Sequence, residues 1–308
     1  MKEIKKIAIV GLGAIGAIYG SKLLEINPDN FKVIANEARA AKYSKEGLKI
    51  NGKTYYFNCV DPKEKTEAAD LIIVAVKHHH LPQTIKDIKN HVGPETIILS
   101  LMNGISSEEI LGEEYGMEKV MYGICVGIDA VRTAAEIQCS TMGVIHFGEK
   151  VNKTYSDRVE GVKQLFEKAG ISYNIPEDIM RALWWKFMVN VGINQTSAVL
   201  KAPYKVFQEV KEANELMMAT MKEVIALSKK ERTNLKDEDL DSFRDILNKL
   251  APDGKTSMLQ DIEAGRKTEV EMFAGTICEL GKKHGIETPM NEALLKMIQT
   301  LEKMNEKY

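Results

Sequence analysis

The sequence predicts two domains of different class, an N-terminal α/β domain built on a parallel sheet and an all-α C-terminal domain. Three observations predict it. Short β-rich runs alternate with helical patterns through the first half, and from about residue 155 the period is helical to the end. The 308 residues, 44% of them hydrophobic, also suffice for two cores. No repeat, low-complexity tract or Pro/Gly-rich linker marks a junction. The change of period alone places it, giving an α/β domain over 1–175 and a helical domain over 176–308.

Taken in order, "KIAIVG" reads as a strand, 14–26 as a helix and "FKVIAN" as a second strand. In "LKINGKTYYFNCV", Asn51-Gly52 between strand-like flanks predicts a hairpin, because both residues tolerate the positive φ that tight hairpin turns need. "ADLIIVAVK", a helix after Pro82 and "TIILSLMNG" continue the βαβ alternation. The β-rich stretch "VMYGICVGIDAVRTAAEIQCSTMGVIHFGEK" is expected to extend the sheet with antiparallel strands. Amphipathic helices are predicted at roughly 155–170, 177–200, 206–231, 236–250, 269–285 and 289–306.

The 42 basic and 44 acidic residues nearly cancel, leaving a net charge of −2, which argues against an electrostatic grip on nucleic acid or an anionic membrane. A small-molecule partner is expected. The N-terminus "MKEIKKIAIVGLG" superficially mimics a signal peptide, but glycines interrupt its apolar run and no small-residue cleavage site follows. The apolar run "LIIVAV" is far too short to span a bilayer. Cys59, Cys125, Cys139 and Cys278 are scattered without a CxxC pair, as packing residues in a reducing compartment would be. A soluble cytoplasmic protein is expected, and the sequence does not fix whether it forms a homodimer.

"IAIVGLGAIGAIYG" places Gly11, Gly13 and Gly16 between the first strand and the first helix. In such a G-x-G-x-x-G turn the first glycine makes the bend, the second lets a pyrophosphate approach the backbone, and the third lets helix and strand pack closely. The helix N-terminus offers free amides to the phosphates. A Rossmann-type dinucleotide site is therefore predicted. At the end of the second strand an acid favours NAD and an arginine favours NADP, and here Asn36, Glu37 and Arg39 give a mixed signal. Lys77, which ends a strand, is either a cation for the adenosine phosphate or a solvated strand-end lysine. His78-His79-His80 cannot all face one ion in regular structure, so no metal is expected and a loop lining the cofactor site is the better reading.

"WWKFMVNVGINQT" carries Lys186, Asn190 and Asn194 at steps of four, on one face of a helix. When a hydride is added to a carbonyl, the oxygen that becomes an alkoxide needs a proton donor or a fixed positive charge, and a partly desolvated lysine supplies either. The two amides can donate to and accept from a substrate hydroxyl or carbonyl. An exposed polar stripe is the alternative, but the apolar neighbours Trp184, Trp185, Phe187, Met188, Val189, Val191 and Ile193 leave little room for it.

In "TSMLQDIEAGRKTEVEMFAG", Ser257 with Gln260 and Thr268 with Glu271 fit two capping boxes, implying two helix starts with a break near Gly265. In one unbroken helix Ser257 and Glu269 would lie about 18 Å apart, at 1.5 Å per residue. With a turn between, both helix starts can face one pocket, where Ser257 and adjacent amides suit a carboxylate and Glu269 can pair with Lys186 or bind a hydroxyl. Capping alone for Ser257 and solvent exposure for Glu269 are the competing readings. Asn103-Gly104 ends a strand, where ligands of open parallel sheets bind, although a plain Asn-Gly turn has the same sequence.

Together "GLGAIG", "VKHHH", "MNG" at 102–104, "WWKFMVNVGINQTSAVLKAPY" and "TSMLQDIEAGRKTEVEMFAGTICELGKKHGIETP" resemble the ketopantoate reductase (2-dehydropantoate 2-reductase) family over nearly the whole chain. The resemblance implies an all-α C-terminal domain like that of 6-phosphogluconate dehydrogenase, and a cleft between the domains. It implies NADPH as reductant and the reduction of ketopantoate to pantoate in pantothenate and coenzyme A synthesis. Lys186 would assist protonation of the C2 oxygen, and Glu269 would position substrate and lysine. Asn190 and Asn194 would hold the terminal hydroxyl, Ser257 the carboxylate, and Asn103 would touch both cofactor and substrate. Two positions depart from the family pattern: Gly254 replaces a frequent asparagine, and Asn36-Glu37 stands where an arginine usually holds the 2′-phosphate. The alternatives are a related reductase of another branched 2-oxo acid, or an enzyme using NADH. A non-catalytic nucleotide sensor is a further alternative, against which the retained Lys186 and Glu269 argue.

Overall fold

A computed structural model describes residues 3–133 and 136–307, which divide into two compact units, 1–179 and 180–308. The first unit holds an eight-stranded sheet in the order β12-β11-β8-β7-β6-β1-β2-β5. Its strands are β1 (Ile7–Val10), β2 (Phe31–Ile34), β5 (Cys59–Val60), β6 (Leu71–Val74), β7 (Ile97–Ser100), β8 (Val120–Val126), β11 (Val144–Gly148) and β12 (Tyr173–Asn174). From β5 through to β8 neighbouring strands run parallel, and β11 is antiparallel to β8.

The short, unbroken apolar strands follow from burial on both faces. Ile7, Ile9, Leu71, Ile73, Ile97 and Leu99 point into one core, which α1 (Ala14–Ile26) and α5 (Asp157–Ala169) cover through Ala17, Ile18, Leu23, Val159, Val162 and Phe166. The alternate residues Ala8, Val10, Ile72, Val74 and Ile98 enter a second core with Leu81 and Ile88 of α3 (Leu81–Ile88) and Leu111 of α4 (Ser107–Tyr115). Each fully buried Ile or Leu contributes roughly 1.5–3 kcal/mol, so the sheet centre is the most firmly held part of this unit. The short α2 (Glu37–Ala41) follows β2.

The stretch expected to extend the sheet does so only in part. Val120–Val126 and Val144–Gly148 join it, but β9 (Asp129–Arg132) and β10 (Ile137–Thr141) leave it for a separate four-stranded sheet, β4-β3-β10-β9. Ala134 and Ala135 of that stretch lie outside the described residues. The partners there are β3 (Leu48–Ile50) and β4 (Lys53–Tyr55), the hairpin foreseen at Asn51-Gly52, whose φ values of 44° and 82° are both positive. Local alternation identifies a strand but carries no information on which sheet takes it, and Ile137↔Ile50 is a pairing across 87 residues of sequence.

Among its described residues the second unit is helical: α6 (Ile179–Val189), α7 (Gln195–Leu200), α8 (Tyr204–Glu209), α9 (Lys211–Lys230), α10 (Glu238–Leu247), α11 (Ser257–Glu263), α12 (Thr276–His284) and α13 (Pro289–Lys307). The single helix expected over 206–231 is two, broken at Val210, whose φ −97° and ψ 112° are extended. No helix among the described residues is long and apolar enough to cross a membrane.

Candidate active site

The glycine turn meets each of its three requirements. Gly11 has φ +93°, and a Cβ there would lie 2.6 Å from Ala75 O. A Cβ on Gly16 would lie 1.9 Å from Gly11 O, so only glycine lets α1 descend onto the turn. A Cβ on Gly13 would meet nothing within 4 Å. Gly13 is thus bare where the chain itself leaves room. It is also the N-cap of α1, whose first turn has neither a side-chain cap nor an acid. Helix-start amides beside open space fit a pyrophosphate, and a dinucleotide therefore fits this turn.

Asn36, predicted as a cofactor contact, has a structural role at the end of β2. Its Oδ1 accepts the Arg39 amide at 3.1 Å and caps α2, the ordinary use of asparagine before a short helix. A cation group forms instead around His80. Burial, together with the positive charges of Arg39 and Lys77, holds its imidazole below the usual histidine value. The three histidines form a single 3₁₀ turn leading into α3, with the His79 and His80 rings 4.2 Å apart. Among the described residues no cluster of three metal-ligating side chains exists. Asn103 follows β7, beside Gly104 at φ +95°.

In the helical unit the Lys186 face contains a feature that periodicity alone missed. The helix does not run on as α, because Asn190–Asn194 forms a π turn between α6 and α7. Asn190 and Asn194 open and close that turn, buried at 5% and 6% exposure, which removes the solvated-stripe alternative for both. Lys186, one turn earlier, is half-buried. The wider i→i+5 pattern disturbs the carbonyl ladder, and side chains compensate: Gln195 Nε2 donates to Val191 O at 2.7 Å and Thr196 Oγ1 to Gly192 O at 2.8 Å. The polar run Gln195-Thr196-Ser197 amid apolar sequence was the available signal, and all three side chains are buried.

This π turn packs against both α11 and the segment following Glu269. The rings of Phe187, next to Lys186, and Phe273 stand 6.3 Å apart, and the Phe273 amide donates to Glu269 O at 3.0 Å. The break predicted near Gly265 is present, with α11 ending at Glu263, Gly265 at φ +62° and a new helix from Val270. The caps differ from expectation. Thr256, not Ser257, caps α11 by accepting the Leu259 amide at 3.2 Å, and Gln260 Nε2 donates to Lys255 O. Thr256 is fixed in place by its own bond to Ser197 Oγ, at 3.2 Å. Ser257 is exposed, so its hydroxyl is not spent on the helix. Thr268 Oγ1 does accept the Val270 amide, but the reciprocal carboxylate is Glu302 of α13, which accepts Thr268 N at 2.7 Å and Oγ1 at 2.6 Å. Glu271 accepts from Lys267 and Gln299 instead. Glu269 is half-buried at this second helix start.

Gly254, the other departure from the family pattern, lies against Tyr204. A Cβ there would be 2.9 Å from its ring, and Tyr204 N donates to Gly254 O at 3.0 Å. A larger side chain would displace that ring.

Comparison with known proteins is consistent along the whole chain. Residues 7–152 match the family model described as ketopantoate reductase PanE/ApbA, and 178–302 match the model of its C-terminal domain. The 2-dehydropantoate 2-reductase of Pyrococcus abyssi is 29% identical over 304 residues, covering 98% of this chain and 99% of that protein. The crystal structure of the 2-dehydropantoate 2-reductase from Geobacter metallireducens is similar with a TM-score of 0.85 and 27% identity, covering 96% of this chain and 99% of that one. The ternary structure of D-mandelate dehydrogenase with NADH and anilino(oxo)acetate is similar with a TM-score of 0.87 at 24% identity, covering 98% and 99% of the chains, which is a likeness of fold. The chain belongs to the ketopantoate reductase family.

Proposed function

We propose that the protein reduces ketopantoate to pantoate with NADPH. The observation that carries this is the convergence of three segments in the helical unit. The π turn of Asn190 and Asn194 packs against α11, which Ser257 opens, and against the segment that follows Glu269, and Lys186 lies one turn before it. When bound, the reduced nicotinamide supplies a hydride for C2 of the 2-oxo acid. Lys186 supplies positive charge and a proton to the C2 oxygen as it becomes an alkoxide, so the product is a neutral hydroxyl. The Ser257 hydroxyl donates to the substrate carboxylate. The buried amides of Asn190 and Asn194 hold the terminal hydroxyl, and Glu269 orients the lysine and the substrate. Gly11, Gly13 and Gly16 seat the pyrophosphate, and Asn103 meets the nicotinamide end. Arg39 and Lys77 supply the cations for a 2′-phosphate in place of an arginine at the end of β2, and the His80 imidazole near them gains a proton more readily once that phosphate is bound, which supports NADPH over NADH.

The test compares ketopantoate with 2-oxoisovalerate, which lacks the terminal hydroxyl, using NADPH and NADH in turn. A site built to bond a hydroxyl rejects the analogue lacking it by on the order of 10² or more in kcat/KM. Equal rates on both acids would refute the assignment of the two asparagines. A second reading, reduction of another branched 2-oxo acid, is favoured by Gly254, where Tyr204 occupies the space a polar side chain would need. Preference for an acid with no hydroxyl would support it.

A further inference from the structure

Glu108 is a glutamate that neither the glycine turn nor the lysine face uses, and its surroundings are unusual for the first turn of a helix. It is 1% exposed, whereas its neighbour Glu109 at the same helix start is solvated. Burying a carboxylate is costly, and an acid complements a helix N-terminus equally well from the surface. Its contacts lead in one direction. Ser107 Oγ donates to Glu108 Oε2 at 2.9 Å, the Ser100 and Ser107 hydroxyls are 2.8 Å apart, and the Met102 amide donates to Ser100 Oγ at 3.3 Å. Ser100 and Ser107 are themselves buried. The second carboxylate oxygen faces the Gly123 amide of β8 at 3.4 Å.

A carboxylate only accepts, so while Glu108 is ionised the order of donors is fixed. The Ser107 hydroxyl points at the carboxylate, the Ser100 hydroxyl points at Ser107, and Ser100 presents its lone pairs to the Met102 amide. That amide belongs to the residue immediately before Asn103. We infer that Glu108 is a positioning residue, which holds the Asn103 loop for cofactor and substrate through the hydroxyls of Ser107 and Ser100. Protonation makes Glu108 a donor and lets both hydroxyls reverse, releasing the single arrangement that fixes the loop. Burial pushes this carboxyl up to about 7, so both forms are populated near neutral pH. The charged and titratable groups around it are Glu109 on its own helix, which raises it further, and Tyr122 on β8. From β7 it meets the Ser100 hydroxyl, and α3 joins α4 through the Tyr115 hydroxyl, which donates to Ile85 O.

The inference rests on the proposed reductase reading, and its test separates the two. The dissociation constant of NADPH, from quenching of its fluorescence, and kcat and KM for ketopantoate are measured from pH 5.5 to 9 on the wild type, E108Q and S107A, with a thermal melt of each. In the wild type, KM and the NADPH dissociation constant rise several-fold as pH falls through about 7. In E108Q that limb disappears and both constants stay at the acid-side value, while kcat at saturation changes less than about threefold. S107A, which keeps the carboxylate but breaks the relay, raises both constants to the same level. An E108Q enzyme that retains the limb, or that loses only kcat and melting temperature, overturns the positioning role. A wild type that neither binds NADPH nor reduces a 2-oxo acid removes the reductase reading, and the positioning role with it.

Discussion

Replacing Gly13 and Gly16 separately by alanine distinguishes a loop shaped to take a ligand from one shaped only to fold. Gly13 has φ −70° and ψ −165°, open to any residue, and the added methyl meets no protein atom within 4 Å. Alanine is the poorer N-cap by about 0.5–1 kcal/mol, and the reduced freedom of the unfolded chain returns about 0.4–1 kcal/mol. Stability is therefore expected to stay within about 1 kcal/mol of wild type. The same methyl occupies the space where a pyrophosphate approaches the backbone. NADPH affinity should fall on the order of 100-fold, equivalent to about 3 kcal/mol. At Gly16 the balance reverses. The methyl would lie 1.9 Å from Gly11 O, where real side chains keep at least 3.0 Å, so α1 or the turn must shift. Overpacking of this kind typically costs about 1–3 kcal/mol, and here the obstacle is backbone, which puts G16A at or beyond the upper end. Thermal melts and NADPH fluorescence titrations on both variants read the contrast. A G13A protein that binds NADPH as the wild type does would show that the phosphates do not cross this turn.

Lys186→Ala should lower kcat by on the order of 10³-fold while leaving the NADPH dissociation constant within about threefold, measured by stopped-flow and fluorescence titration. For His80, whose imidazole lies below its ordinary value in the free protein, a bound phosphate dianion favours the protonated form, so in E108Q, which lacks the Glu108 limb, NADPH binding should tighten as pH falls from 8 to 6. NADH binding to E108Q should not follow, and adding H80A should abolish the difference. Thr256→Ala should destabilise by about 1–2 kcal/mol through the lost cap and the bond to Ser197, whereas Ser257→Ala should leave the melt unchanged and raise KM for the 2-oxo acid. Glu108 also gives a stability signature. Its folded carboxyl, raised from 4.5 to about 7, holds a proton in that interval that the unfolded chain releases. Stability therefore falls as pH rises through the interval, by up to about 3 kcal/mol at about 1.4 kcal/mol per pH unit. Urea melts of the wild type at pH 5 and 8 should show this fall, and E108Q should show less of it.

The elements that sequence predicted well are those whose cause is local. Strands with alternate residues committed to two cores, such as Leu71–Val74, can only be unbroken apolar runs, and the glycine turn states its geometry in its spacing. The hairpin at Asn51-Gly52 is equally local. Long-range partners were not legible. Nothing near residue 268 announces that Glu302 completes its cap, and nothing in 129–141 says that β10 pairs with β3. The π turn fell between the two cases, because a helical period fits both windings, and only the buried Gln195-Thr196 pair hinted that carbonyls there needed donors. The cap that Asn36 makes was not foreseen because one residue type serves both a ribose contact and a helix cap, and only the local backbone shows that its Oδ1 accepts the Arg39 amide.

The winding at Asn190–Asn194 also fixes an angular phase. One residue turns a regular helix by about 100°, and five residues of the wider winding turn roughly as far as four of ordinary helix, so this segment takes up one extra residue while its flanks keep their phase. Wound as an ordinary helix, the same five residues would swing everything on the N-terminal side, Lys186 included, by most of that angle relative to Gln195 and beyond. Tolerance here is therefore directional: a one-residue deletion leaves the lysine aimed, whereas a change that keeps the residue count but closes the wider turn redirects it without altering any residue proposed to act on the substrate.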